Sequence, residues 1–557
     1  MDASSTAPAR LIAAYLDDLF AMHPYVAMKA GLHQYDGHVG DWSPMAIAAR
    51  TSVLRRYEAD LAPLAAEPLQ PVVAPTRVAL ADEDLARWDA RLTLRHCRHE
   101  RYFWEVWRPY ETNPLTCLPL LDLTTYLKRD YAPLPDRVSA LIRHCTAIPA
   151  VVATARGHLH ERLSYALLQQ GIATYEGLAY FHTVDLVKAV EVVGDWSLTQ
   201  AFHRANRAAV AAVRGFVVDL RTRLPHANEA FAYGATTLRT LLALDEAVDL
   251  PLDDLLALGT RDLARNQARI AATAAHLGTT PAAAMEALGH THPPLGAILD
   301  ETRRQVTELR TFVIDRALVT VPGTEQPLVQ ETLPFMRNGS AFMDVAGPFD
   351  VTDTRAYFSL TLPDPAWSHS QKEAWLAKQS IPGLANTAAH ETWPGHFLQH
   401  LHLLAAPTTA SKLLTSMSFV EGWAHYAEAL VIEVGFHADD PHYELAQLSM
   451  ALLRDCRFLA AIWLHTGQMG VDDAARFITN EAYFTPIRAQ QEAMRGLRSP
   501  TYLNYTLGKL LLGELRHDLQ LRYPAWSQCA VHDALLAFGA PPIPLLREVL
   551  LGSHVAD

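Results

Sequence analysis

Apolar residues recur every three to four positions through most of this 557-residue chain, over 9–22, 44–64, 80–106, 134–167, 198–223 and 255–277. That spacing draws one apolar stripe along each of a series of helices, so the chain is constrained to a mainly α fold. Proline and glycine cluster between the segments, at 68–75, 281, 293–296 and 323–327, and no fixed period repeats, which sets aside a helical solenoid. The texture changes only between about 319 and 365, where TVPG, PLVQETLP, SAFMDVAGPFDV and AYFSLTLPDP mix β-branched and aromatic residues with Pro and Gly. Short strands in one small sheet are expected there. The helical pattern resumes after Ser370 and holds to Leu551. The expected organisation is a helical lobe over 1–318, then, over 319–557, a small β insert and a helical lobe holding the chemistry.

Composition removes several function classes. Asp and Glu number 60 against 47 Lys and Arg, a net charge of −13, which argues against the basic face that nucleic acid requires. Five cysteines, odd in number and without CxxC spacing, argue against a disulfide framework or a thiolate zinc cluster. The first twenty residues lack a basic stretch followed by an apolar core, and Asp17 and Asp18 interrupt their apolar run. No run of about 18 uninterrupted apolar residues occurs, so no membrane span is expected. These features lead us to expect a soluble, cytoplasmic protein.

The chemistry concentrates in NTAAHETWPGHFLQH, residues 386–400. His390-Glu391 resembles the start of the zincin pattern, in which one helix supplies two His ligands and the Glu between them is the general base. In the usual form the histidines stand at i and i+4, about 40° apart around the helix. Here the next His is His396 at i+6, about 120° away on a regular helix. Pro394 and Gly395 suggest the remedy. Proline deletes a backbone donor and clashes with the carbonyl four residues back, and glycine tolerates the dihedrals that follow. A bulge of about two residues is expected to swing His396 onto the face of His390. The competing pair, His396 with His400, has i, i+4 spacing directly but strands Glu391. We expect the first pair, with His400 and His402 as ordinary polar histidines.

A third ligand is expected from SFVEGWAHYAEALVIE, 25 residues further on. Glu421, His425 and Glu428 recur near one face of a helix, with small Gly422 and large Trp423 permitting close packing. Glu421 is the expected ligand, and Glu428 the residue that orients a ligating His by hydrogen bonding.

At these residues the sequence resembles the bacterial family labelled domain of unknown function 885, described as zinc metallopeptidases related to the mainly helical gluzincins. The family pattern His-Glu-x-x-Pro-Gly-His-x-x-Gln is matched by His390, Glu391, Pro394, Gly395, His396 and Gln399. Its Glu-Gly-Trp element is matched by Glu421, Gly422 and Trp423. HPYVAMKAGLHQYDG (23–37) resembles the family's opening, and NYTLGKLLLGELR (504–516) its C-terminal Ser-Tyr-x-x-Gly helix, with Asn504 in place of Ser. The resemblance therefore covers most of the chain as one unit. By analogy, the dipeptidyl peptidase III family also absorbs an insertion between its two histidines.

The resemblance implies a two-lobed, gluzincin-like helical metallopeptidase with a deep cleft. It implies His390, His396 and Glu421 as Zn2+ ligands and Glu391 as base and acid. It places Tyr505 on the Tyr that donates to the oxyanion, with Tyr502 as a substitute nearby, and His465 on a His lining the same cleft. The family's Asp-Thr-Gly before that His is here Ala461-Ile462-Trp463. Arg454, Arg457 and Arg498 are candidates to clamp a substrate carboxylate. The expected activity is hydrolysis of amide bonds in short peptides, by a metal-activated water with Glu391 as base. A zinc-dependent hydrolase of a non-peptide amide and a metal-free helical binding protein are the rival readings. No nucleic-acid or membrane partner is expected, and the sequence does not indicate an oligomeric state.

Overall fold

The computed structural model describes residues 6–552 except 75–76, 338–339 and 498–499. The chain is mainly helical with a small sheet, as the periodicity requires. A hairpin, β1 (Val72–Ala74) antiparallel to β2 (Arg77–Ala79), occupies a stretch expected only as a Pro-rich connection. The sheet of the insert contains β3 (Leu328–Glu331), β4 (Ala341–Asp344) and β5 (Tyr357–Leu360) in the order β3-β5-β4. Three of the four segments flagged by composition supply these strands; TVPG forms none. Strand β5 is central, parallel to β3 and antiparallel to β4, with Met343 of β4 opposite Phe358. Strand β4 is thus an edge, and its free side faces the helix Ile381–Glu391.

One hydrophobic cluster runs from Ile12 to Leu550 and so draws on both ends of the chain. A second gathers around the helices Leu252–His276 and Pro441–His465. The helices that matter for the site begin on the capping residues their sequences offer. Ser380 accepts from the Gly383 amide at the start of Ile381–Glu391, Ser416 from Phe419 at the start of Met417–Glu433, and Asp440 from His442 at the start of Pro441–His465. Proline occupies an early position in the first and third, where its missing N–H costs nothing.

The helix Leu134–His158 is long and apolar enough, by length and composition alone, to cross a bilayer, although charged residues such as Arg137 and Arg143 interrupt its apolar run. It packs against the helix Trp196–Arg223, with Val138, Leu141, Ile148 and Val152 buried, as a core helix would.

Candidate metal centre

The motif does not bulge within one helix, as the sequence suggested; the helix stops and restarts. The first piece ends at Glu391 and the second, His396–Leu404, begins on His396 itself. Pro394 cannot donate to the first helix. Its carbonyl instead accepts from the indole Nε1 of Trp423 at 2.8 Å, which ties the break to the helix Met417–Glu433. Gly395 is required by space. A Cβ there would lie 1.8 Å from the His390 carbonyl oxygen. The two rings end 4.7 Å apart between centroids, at 82°. Separating the helices gives His396 its own axis, which removes the 120° mismatch more completely than a bulge.

Glu421 completes the group. Its Oε2 lies 3.6 Å from His390 Nε2 and 3.4 Å from His396 Nε2. Ligand atoms of these three residues all fall within 4.8 Å of one another, the one such group among the described residues. His400 is not in it. That residue is half-buried, and burial, with Arg129 nearby, lowers its pKa to about 4. His402 donates to the Thr320 carbonyl at 2.9 Å.

The Met417–Glu433 helix reaches this position because it touches the helix Asn504–Arg522 backbone to backbone. A Cβ on Gly508 would lie 1.6 Å from the Ser418 carbonyl oxygen, and one on Gly422 2.4 Å from Gly508 Cα. Only glycines allow that approach. The contact sets Glu421 and Tyr505 at neighbouring ends of the two helices.

Glu428 hydrogen-bonds His390 from the Met417–Glu433 helix. It is fully buried. Its Oε1 accepts from His390 Nδ1 at 2.7 Å and lies 2.8 Å from Arg454 Nη2; its Oε2 accepts from Asn386 Nδ2 at 2.9 Å and Arg454 Nη1 at 2.9 Å. Asn386 and His390 stand four residues apart on one helix, so both point to the same carboxylate. Burial alone would raise the Glu428 carboxyl, but Arg454 and His390 hold it well below the usual carboxylate range. The His390 Nδ1–H is thereby fixed and its Nε2 is aimed at Glu421.

These residues fit a zinc ion. Two imidazoles and one carboxylate are a catalytic zinc donor set. Glu421 Oε2 is buried with no hydrogen-bond partner among the described residues. Burial would lower the His390 pKa, yet Glu421 and Glu428 raise it to about 9, so the centre favours positive charge. Burial opposes ionisation of Glu421 too, but the two histidines hold its carboxyl well below the usual range.

Around the centre the expectations divide. Glu391 is buried beside His390, and its Oε2 accepts from the Met343 amide of β4 at 2.8 Å. Tyr505 accepts at its phenol oxygen from Arg495 at 3.1 Å, and burial together with the nearby Glu421 raises its pKa. Four assignments need correction. His465 donates from Nε2 to the Gly496 carbonyl at 2.9 Å and stacks on Tyr233 at 4.5 Å. It is a core residue, eleven positions and so about 16 Å along its helix from Arg454. Tyr502 donates to the Glu492 carbonyl at 2.6 Å, so its hydroxyl is committed to the protein. Arg454 likewise is spent on Glu428, and Arg457 donates twice to Glu492 Oε2, at 3.0 and 2.8 Å. Arg498 lies outside the described residues. Missed from the sequence were Asn386 and the Met343 amide, the latter because a backbone donor leaves no trace in residue type.

Comparison with curated proteins finds no match. Among solved structures, one from Shewanella oneidensis superposes with a TM-score of 0.81 at 20% identity, covering 98% of this chain and 100% of that one. One from Colwellia psychrerythraea gives 0.79 at 17% identity, covering 98% of each. Both are described as a "putative lipoprotein", the first "of unknown function". At these identities the likeness shows a shared fold, and it lends the cytoplasmic expectation no support. The family described as bacterial protein of unknown function (DUF885) matches residues 24–550. With nearly the whole chain matched, the protein belongs to the DUF885 family.

Proposed function

We propose that the chain is a zinc-dependent hydrolase of amide bonds in short peptides. The observation that carries this reading is the convergence of His390, His396 and Glu421 within 4.8 Å, with the buried Glu391 next to His390 in the sequence. Zinc held there would supply a Lewis acid and lower the pKa of an attacking water. Glu391, its carboxylate steadied by the Met343 amide, would take the proton from a water whose oxygen bonds to the scissile carbonyl carbon and deliver that proton to the leaving amine nitrogen as the C–N bond breaks. Glu428 keeps His390 in the tautomer that presents Nε2. Tyr505, a phenol and so protonated at neutral pH, donates to the oxyanion. The same reading includes the two-lobed gluzincin architecture, with the centre at the floor of a cleft that admits extended peptides and excludes folded proteins.

The test is zinc content by plasma emission spectroscopy on wild type, Glu421→Ala and Glu391→Gln, with cleavage of a peptide library alongside. About one zinc per chain is expected, lost in Glu421→Ala but retained in Glu391→Gln, which no longer cleaves. A wild type that takes up no zinc when it is supplied, or undiminished cleavage by Glu391→Gln, refutes the proposal. Bound zinc without peptide cleavage transfers it to a non-peptide amide.

A further inference from the structure

Beside Tyr505 the protein gathers more positive charge than it pairs. The helix Pro486–Gly496 carries Arg488, Glu492 and Arg495 at i, i+4 and i+7, along one face. Glu492 is engaged by Arg457 of the Pro441–His465 helix. All three guanidinium groups act on that single carboxyl and, against its burial, hold it below the usual range. Arg495 finds no carboxylate of its own among the described residues; its Nη2 donates to the Tyr505 phenol oxygen at 3.1 Å. Arg488 lies over the Phe484 ring at 4.2 Å and, among the described residues, forms neither an ion pair nor a hydrogen bond. It is half-buried, and burial with the neighbouring Arg457 pushes its pKa down to about 10, although Glu492 opposes this.

This excess abuts the metal centre. Tyr505 carries Arg495 on its hydroxyl, has Arg457 at 5.5 Å and Arg454 at 5.6 Å from its ring centre, and lies close enough to feel the charge of Glu421. Arg454 is neutralised by Glu428 and Arg457 by Glu492. Among the described residues, the donors without a carboxylate of their own are therefore Arg488 and Arg495. A planar guanidinium accepts a carboxylate through two parallel bonds, and a half-buried one without a counter-charge gains most from doing so.

We propose that Arg495, beside Tyr505, and Arg488, about two turns earlier on the same helix face, bind a carboxylate of the substrate, so that the preferred peptides are those presenting an anionic group to this face. The inference rests on the peptide-hydrolase reading and narrows its substrate class. The carboxylate is either the free C-terminus, which makes the enzyme a trimmer of peptide ends, or an acidic side chain, which makes it selective for internal sequence.

The experiment measures peptide binding by isothermal titration calorimetry to the full-length, zinc-loaded Glu391→Gln protein. Three matched pentapeptides are compared: neutral side chains with a free C-terminus, the same peptide amidated, and an amidated peptide with one Glu. At least tenfold tighter binding of one anionic peptide over the neutral amide is expected, and which one it is names the source of the carboxylate. Arg488→Gln in this background should bring the peptides within about twofold of one another, Arg495→Gln should reduce the preference, and Arg488→Lys should keep part of it. Circular dichroism checks each variant, and Arg495, being exposed, gives one that leaves the core untouched. Equal binding of all three peptides, or a preference that survives both Gln variants, overturns the inference. If wild type cleaves acid and amide peptides alike, with Glu391 required, this inference falls and the hydrolase stands. An arginine-dependent preference without cleavage leaves the carboxylate site and removes the peptide-hydrolase reading.

Discussion

Replacing Glu428 with Gln removes one charge and almost no volume from the least accessible part of the site. The structure shows what is lost. Oε1 faces His390 Nδ1 and Arg454 Nη2, and Oε2 faces Asn386 Nδ2 and Arg454 Nη1, at 2.7 to 2.9 Å. All four are donors, so whichever way the introduced amide turns, its own NH2 meets two donors. Two buried, charge-assisted bonds at about 1.5–3 kcal/mol each are forfeited. The Arg454 guanidinium is also left without a counter-charge, a situation that costs about 3–5 kcal/mol where a buried pair is broken. The two figures describe one loss, so a destabilisation of about 3–5 kcal/mol is expected in guanidinium denaturation of the zinc-free protein. Zinc affinity, read by competition with a chelator, should fall about 10- to 100-fold, because His390 is no longer held in its ligating orientation. The double variant Glu428→Gln/Arg454→Met should be less destabilised than the sum of the two singles, by about 1–3 kcal/mol. A single variant within about 0.5 kcal/mol of wild type, with unchanged zinc affinity, would refute the assignment of Glu428 as the residue that orients His390.

Two further outcomes test how the site is positioned. Gly508→Ala places a methyl 1.6 Å from the Ser418 carbonyl oxygen and must push the two helices apart, costing about 1–3 kcal/mol or more. Gly513→Ala in the same helix, with open space around its Cβ, should instead stabilise by about 0.5–1 kcal/mol, and equal effects in chemical denaturation would show the helix contact to be loose. His33 joins the N-terminal turn to the loop after β4: Nε2 lies 2.8 Å from Asp350 and Nδ1 3.3 Å from Asp36. Burial would lower its pKa, but the two carboxylates raise it to about 9. A raised folded-state value means its stabilisation is complete below about pH 6.5 and lost as pH rises towards 9. The wild-type denaturation midpoint should therefore decline over that window relative to His33→Gln, and parallel profiles would rule the pairing out.

What the sequence made legible were side chains whose chemistry and helical spacing point the same way. Glu421 and Glu428 are seven residues apart, two turns of one helix, so their shared face follows from arithmetic. His390 and His396 fail that arithmetic, and Pro394 marked where the failure is repaired without saying how. The repair is tertiary: the Trp423 indole takes the Pro394 carbonyl, and Gly395 fits where any Cβ would meet the His390 carbonyl. His465 shows the opposite limit. Eleven residues from Arg454 return almost to the same helical face, about 20° away, yet the rise has carried the ring about 16 Å along the axis. Periodicity reports direction around a helix and is silent on distance along it relative to a partner. Arg454 was misjudged for a related reason. Whether an arginine serves the substrate or the scaffold depends on which carboxylates share its burial, and Glu428 claims it. The same accounting exposes Arg488 and Arg495. They stand out because the carboxylates near them are already spent, which is a property of the assembled site and of no segment read by itself.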